Sequence, residues 1–183
     1  MRGLVIVGIL ALGLGGCLQQ MNERAGGRCE VTASKPWTPA AGSELTVEAG
    51  TLGADCEHAV ATIVIRDQSG VAYAQAYPTA QVMDLAQARD SRAMRTALGE
   101  WIQSANHTID TTSALPDWPE GAEGPQNGEF PFYVAEGFTR ETYMALRERN
   151  APVFCYVQGM ESEKCLALED GVLSEIGIQS FPG

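Results

Sequence analysis

Four cysteines, Cys29, Cys56, Cys155 and Cys165, fall into two pairs, each close in sequence and distant from the other. Four oxidised cysteines allow three connectivities, and nearness along the chain favours Cys29 with Cys56 and Cys155 with Cys165. Closing loops of about 28 and 11 residues contributes roughly 3.6 and 2.8 kcal/mol in the chain-entropy description. A four-thiolate zinc site is the rival reading. It needs reduced thiols and a Cys-x2-Cys pair, and the sequence holds no such pair.

The fifth cysteine has a different context. A single basic residue, Arg2, precedes an apolar run over 3–16 that ends in Leu14-Gly15-Gly16-Cys17. The run is too short to cross a bilayer, which takes roughly 20 apolar residues, but has the length of a signal-peptide apolar region before small residues. These residues fit an ordinary cleaved signal with an incidental cysteine, or an uncleaved anchor. They also resemble a bacterial lipoprotein signal. That resemblance implies cleavage between Gly16 and Cys17, a thioether diacylglycerol on Cys17 and an acyl chain such as palmitate on its amine. It makes the membrane a partner through covalent lipid. Leu18 stands where an Asp tends to retain Gram-negative lipoproteins on the inner membrane, so the implied location is the cell envelope and, in a Gram-negative cell, the periplasmic face of the outer membrane. Export to an oxidising compartment makes disulfides the default reading of the other four cysteines.

Without residues 1–16 the chain retains 167 of its 183 residues, the size of one ordinary domain. Residues 17–28 are polar with a Gly pair and read as a lipidated tether, and 29–183 as a single domain. The chain has 12 basic and 23 acidic residues, and loss of Arg2 takes the net charge from −11 to −12. Such a surface repels phosphate backbones, so no nucleic-acid partner is expected.

Alternation places strands at 44–49, 59–66 and 71–77, with Asp67-Gln68-Ser69-Gly70 as a hairpin turn. A row of Ala72, Ala74 and Ala76 on the third strand suits close packing by a helix. Met94, Ala97, Leu98, Trp101, Ile102 and Ala105 repeat at helical spacing, with Asp90 or Ser91 as N-cap, and 82–88 reads as an extra turn. Residues 113–131, rich in Pro, Gly and acids, read as a solvated loop. A strand follows at 132–135, then a helix capped by Thr139, stapled by Phe138 to Tyr143, running to Arg149 and stopped at Asn150 before Pro152. Strands at 153–158, 164–169 and 172–178 complete the chain, with Asp170-Gly171 as the last turn. The fold class is therefore α+β, mostly antiparallel sheet with two amphipathic helices and a C-terminal three-stranded meander. The alternative gives 29–80 its own small β-sandwich, with Cys29, Trp37 and Cys56 as a disulfide packed on a tryptophan.

Chemistry is sparse. The two histidines, His58 and His107, read as an exposed turn residue and a helix-end residue. Gly-x-Ser-x-Gly, His-Glu-x-x-His and Ser-x-x-Lys are missing, and Ser162-Glu163-Lys164 has the wrong spacing for the last. The acids of 113–131 lack the ordered spacing of a Ca2+ loop. Carboxylate pairs such as Glu141 with Glu148, or Glu161 with Glu163, serve glycoside cleavage only across a cleft. No catalytic residue, metal ligand or cofactor is assigned. Trp118, between prolines, is a possible contact residue beside its plainer role in local packing.

The leading expectation is a non-catalytic envelope domain that binds another protein through a sheet edge or the acidic loop. Small acidic disulfide-bonded lipoproteins also look like the lysozyme inhibitors of bacterial envelopes, which makes an inhibitor of a cationic enzyme the second reading. An envelope hydrolase with its site assembled from distant residues is the third.

Overall fold

A computed structural model of the protein describes residues 28–40, 43–103, 109–126 and 128–181. The first half forms four strands, β1 (Val31–Ala40), β2 (Ser43–Leu52), β3 (Val60–Asp67) and β4 (Gly70–Pro78), paired antiparallel in chain order. Period-2 alternation gives the sheet one apolar face: Leu45, Val47 and Ala49 of β2 and Ala61, Ile63 and Ile65 of β3 are buried, while Thr46, Thr62 and Arg66 are exposed. The register sets Val47 opposite Ile65 and Ile65 opposite Tyr73, so the tyrosines of β4 extend the same face. The β3–β4 turn is held by Asp67, whose Oδ1 accepts from the Ser69 hydroxyl and backbone N–H, both at 2.7 Å, and from Gly70 N–H at 2.9 Å. These bonds, the Ser69 hydroxyl first, hold the Asp67 carboxyl below the usual carboxylate range.

β1 is absent from the sequence reading. Pro36 and Pro39 interrupt it, and proline is tolerated at a sheet edge, where one side of the strand makes no ladder.

The second half forms β5 (Phe132–Val134), β6 (Val153–Val157), β7 (Ser162–Glu169) and β8 (Val172–Ser180), paired antiparallel in the order β5-β8-β7-β6. Every residue of β6 is buried because both faces of this sheet are covered. Phe154 and Tyr156 join the core of the first sheet, and Val153 and Cys155 face a second core. The class is α+β with mostly antiparallel strands. Residues 31–78 form one sheet rather than a sandwich of their own, and the second layer over its apolar face comes from the C-terminal half. Trp37 accordingly meets Phe154, with ring centroids 5.2 Å apart.

Helix α1 (Ser91–Trp101) starts at Asp90, whose side chain accepts from the N–H groups of Arg92 and Ala93. It buries Met94, Leu98 and Trp101 against the first sheet, in contact with β1 and β2. The alanine row of β4 is not its seat, since Ala74 and Ala76 are exposed. The large side chains of β3 face the other way, and covering them removes far more apolar area from water than covering alanines. The proposed continuation to Ala105 lies outside the described residues.

Helix α2 (Arg140–Arg149) carries a reciprocal cap between Thr139 and Thr142 and ends at Asn150 with φ 50°. Tyr143 and Leu146 are buried in the second core, and Phe138 meets Tyr143 edge-on with centroids 6.4 Å apart. The disulfides are Cys29–Cys56 and Cys155–Cys165, with Cα–Cα distances of 4.8 and 4.1 Å. The second joins residues directly opposite each other in β6 and β7.

Candidate interaction edge

Among the described residues two open sheets present four edges, and each exposes a row of backbone donors and acceptors unless something blunts it. Three of the four are blunted here. β1 carries Lys35, Pro36 and Pro39 and an irregular register between Trp37 and Ala40. β5 has only three residues. β6 is covered: Val153 N–H donates to the Asp110 carbonyl at 2.8 Å, the Trp101 indole N–H donates to the Val157 carbonyl at 2.6 Å, and Thr111 bridges Pro152.

β4 is the exception. Its nine residues, Gly-Val-Ala-Tyr-Ala-Gln-Ala-Tyr-Pro, hold no charge and no proline before the last position. Ala74, Gln75 and Ala76 are exposed at its centre. Among the described residues, 71–77 make no backbone hydrogen bond outside the pairing with β3.

The edge is nevertheless held firmly from behind. The hydroxyls of Tyr73 and Tyr77 lie 2.7 and 2.8 Å from that of Tyr156, which is completely buried on β6. Tyr77 and Tyr156 both meet Trp101 edge-on, at centroid distances of 6.4 and 6.1 Å. Burial pushes all three phenols up, Tyr77 to about 12 and Tyr156 furthest. A phenol that keeps its proton throughout the neutral range is neither nucleophile nor base there, so the cluster fixes position. Beside it, Lys164 and Glu175 form an ion pair at 2.7 Å. Its two charges act on the Tyr73 phenol in opposite directions.

Residues singled out in the sequence are scattered. Cys17 and His107 lie outside the described residues. His58 is exposed in a turn, its backbone N–H and ring Nδ1 each 2.9 Å from Asp55 Oδ1. The four bridge cysteines are buried, Cys29 and Cys56 in the first core and Cys155 and Cys165 in the second. Glu141 and Glu148 are exposed on α2, while Glu163 is buried in β7 and Glu161 exposed in the turn before it. Trp118 is only 8% exposed; its indole N–H donates to the Ala122 carbonyl at 2.8 Å and its ring packs edge-on against Tyr143. The segment 113–131 is accordingly packed as well as solvated. Tyr143, Arg147 and Arg140 donate to the carbonyls of Pro116, Leu115 and Trp118, while Glu120, Glu123 and Glu129 stay in water.

A depression of about 280 Å³ lies between the β3–β4 and β7–β8 turns, lined by Glu44, Asp67, Ser69 and Leu168 among others. The Asp67 oxygen is already shared by three donors of its own turn. Among the described residues no three His, Cys, Asp or Glu side chains are grouped to hold a metal ion. The sequence shows β4 as a strand, but which strand ends a sheet is decided by pairing order. The signal that was available is the charge-free stretch from Gly70 to Gln81. No protein-family model, no curated protein and no solved structure matches the chain.

Proposed function

We propose that this is a lipid-anchored envelope protein, attached through Cys17, whose domain is a non-catalytic binding module that takes an extended polypeptide segment onto the outer edge of β4. The observation that carries this reading is the contrast among the edges: three are blunted, and the long uncharged one is braced by Tyr156. An incoming strand gains main-chain hydrogen bonds along β4, and its alternate side chains meet the alanine row on one face and Tyr73, Gln75 and Tyr77 on the other. The anchor rests on the Leu14-Gly15-Gly16-Cys17 resemblance, which in a Gram-negative cell implies the periplasmic face of the outer membrane.

In-cell crosslinking of the tagged full chain tests this, with two variants beside it. Gln75→Lys puts a charge on the edge, and Cys17→Ser removes the lipid. Under the proposal the captured polypeptide is lost in the first and depleted in the second, while the thermal melt of Gln75→Lys stays unchanged. Capture indifferent to Gln75→Lys refutes edge binding, and a Cys17→Ser protein that still fractionates with membranes refutes the anchor.

A further inference from the structure

We infer that the segment received by the β4 edge is β4 of a second copy of this chain, paired antiparallel about a two-fold axis at Gln75. The inference rests on the edge-binding reading above and names its occupant.

Residues 73–77 read Tyr-Ala-Gln-Ala-Tyr, the same in both directions. Two such strands run antiparallel about Gln75 set Tyr73 opposite Tyr77 of the second copy, Ala74 opposite Ala76, and Gln75 opposite itself. Each pair is like with like in size. Aromatic pairs across strands are favourable, and two amides can each donate and accept. Because the two-fold is perpendicular to the sheet, each alanine row continues the other and each tyrosine row continues the other, giving one eight-stranded sheet. The interface is isologous and closes on itself, so it ends at a dimer.

The palindrome points to a second copy, and charge at the edge permits it. The chain without Arg2, at net charge −12, repels its copies over most of its surface. Like charges set opposite each other across strands are destabilising. The β4 register avoids that cost, since no charged residue occurs from Gly70 to Gln81. The ion pairs nearest the edge, Arg66–Glu48 on the neighbouring strands and Lys164–Glu175 behind it, are each neutral as a unit. A strand-to-strand contact is small against the roughly 1,000 Å² that a stable interface clears. Confinement to one membrane raises the effective concentration of copies and favours so small a contact. The dimer therefore belongs to the membrane-bound form.

The test places the photoreactive residue benzoylphenylalanine at position 75 of the lipidated chain, expressed from the full sequence. One arm is the purified protein in phosphatidylethanolamine–phosphatidylglycerol vesicles, and the other is the protein in its own cells. Under the inference a covalent dimer forms in both, joined at residues 74–76 of the second copy. With benzoylphenylalanine placed at position 74 instead, Gln75→Lys and Gln75→Glu each lower the photodimer yield at least tenfold, and an equimolar mixture of the two restores it. Crosslinks in cells to a different protein only, with no rescue in the mixture, overturn the second copy and leave edge binding standing. No crosslink in either arm, with an unchanged thermal melt, overturns both.

Discussion

The hydroxyl oxygens of Tyr77 and Tyr156 stand 2.8 Å apart although 79 positions separate them in the chain. The bond joins an edge strand of one sheet to the buried edge strand of the other. Tyr73 makes the same connection from two turns of the pleat earlier, so one buried hydroxyl serves both.

Tyr156→Phe removes that hydroxyl and leaves two half-buried phenols without their shared partner. A net hydrogen bond is worth about 1 kcal/mol and the stranded groups retain some access to water, so the expected loss is about 1–2 kcal/mol in urea unfolding. Tyr73→Phe, which leaves the Tyr77–Tyr156 bond in place, costs less. Equal losses in the two variants would show that Tyr156 is not the hub.

The buried phenols, those of this cluster and Tyr143 of the second core, set an alkaline limit. Burial raises the Tyr77 phenol from 10.0 to about 12 and drives Tyr156 and Tyr143 higher. The folded chain therefore keeps protons that the unfolded chain releases above pH 10. This stabilisation is complete below about pH 10 and is lost as pH rises through 12 and beyond. Phenolate absorbance should rise together with loss of near-ultraviolet circular dichroism. Ionisation of Tyr143 and Tyr156 in a fully folded protein would contradict the burial argument.

The two disulfides differ in the length of chain they close, 27 against 10 residues of separation. Replacing Cys29 and Cys56 by alanine should therefore cost more than replacing Cys155 and Cys165, about 3.6 against 2.8 kcal/mol from chain entropy. Denaturant unfolding of the two double variants gives the order. A larger loss at Cys155 and Cys165 would mean that packing between β6 and β7, rather than loop closure, dominates.

Two glycines separate backbone conformation from crowding. Gly70 has φ 141° with nothing within 4 Å of an added Cβ, whereas at Gly177, φ 157°, that atom would sit 2.5 Å from the Phe132 ring and the Tyr133 carbonyl oxygen. Gly70→Ala should cost about 1 kcal/mol from conformation alone. Gly177→Ala adds overpacking of about 1–3 kcal/mol, detached first where β5 meets β8. Hydrogen exchange over 132–134 reads that directly, and protection equal to wild type would count against it.

Much of this architecture is written locally. Val60 to Ile65 is a run rich in β-branched residues closed by Arg66 and Asp67, Asp90 caps a run with helical spacing, and Asp67 to Gly70 has the chemistry of a tight turn, so β3, α1 and the hairpin are legible residue by residue. β1 is not, because Lys35, Pro36 and Pro39 hide the alternation of Val31, Ala33 and Trp37, and only its place at a sheet edge makes those residues tolerable. The alanine row of β4 misleads for a related reason: small residues permit close packing without requiring it. Trp118 looks like a loop residue among prolines until Tyr143 and Arg140 of α2 are brought against its segment. The β4 edge depends on pairing order between distant strands, so its sequence shows a strand whose outer side is settled only by the fold.

Cys29 has a mechanical consequence as well as a thermodynamic one. It lies two residues before β1, and its sulfur is bonded to Cys56, four residues before β3 begins. Tension arriving at Arg28 passes through that covalent link into the 53–58 turn and β3, leaving the β1–β2 ladder outside the load path. β1 cannot be unzipped by a pull from its N-terminal side until a sulfur–sulfur bond is cut. With the bridge oxidised, β1 is shielded from a pull at Arg28, and with it reduced the same pull peels β1 first.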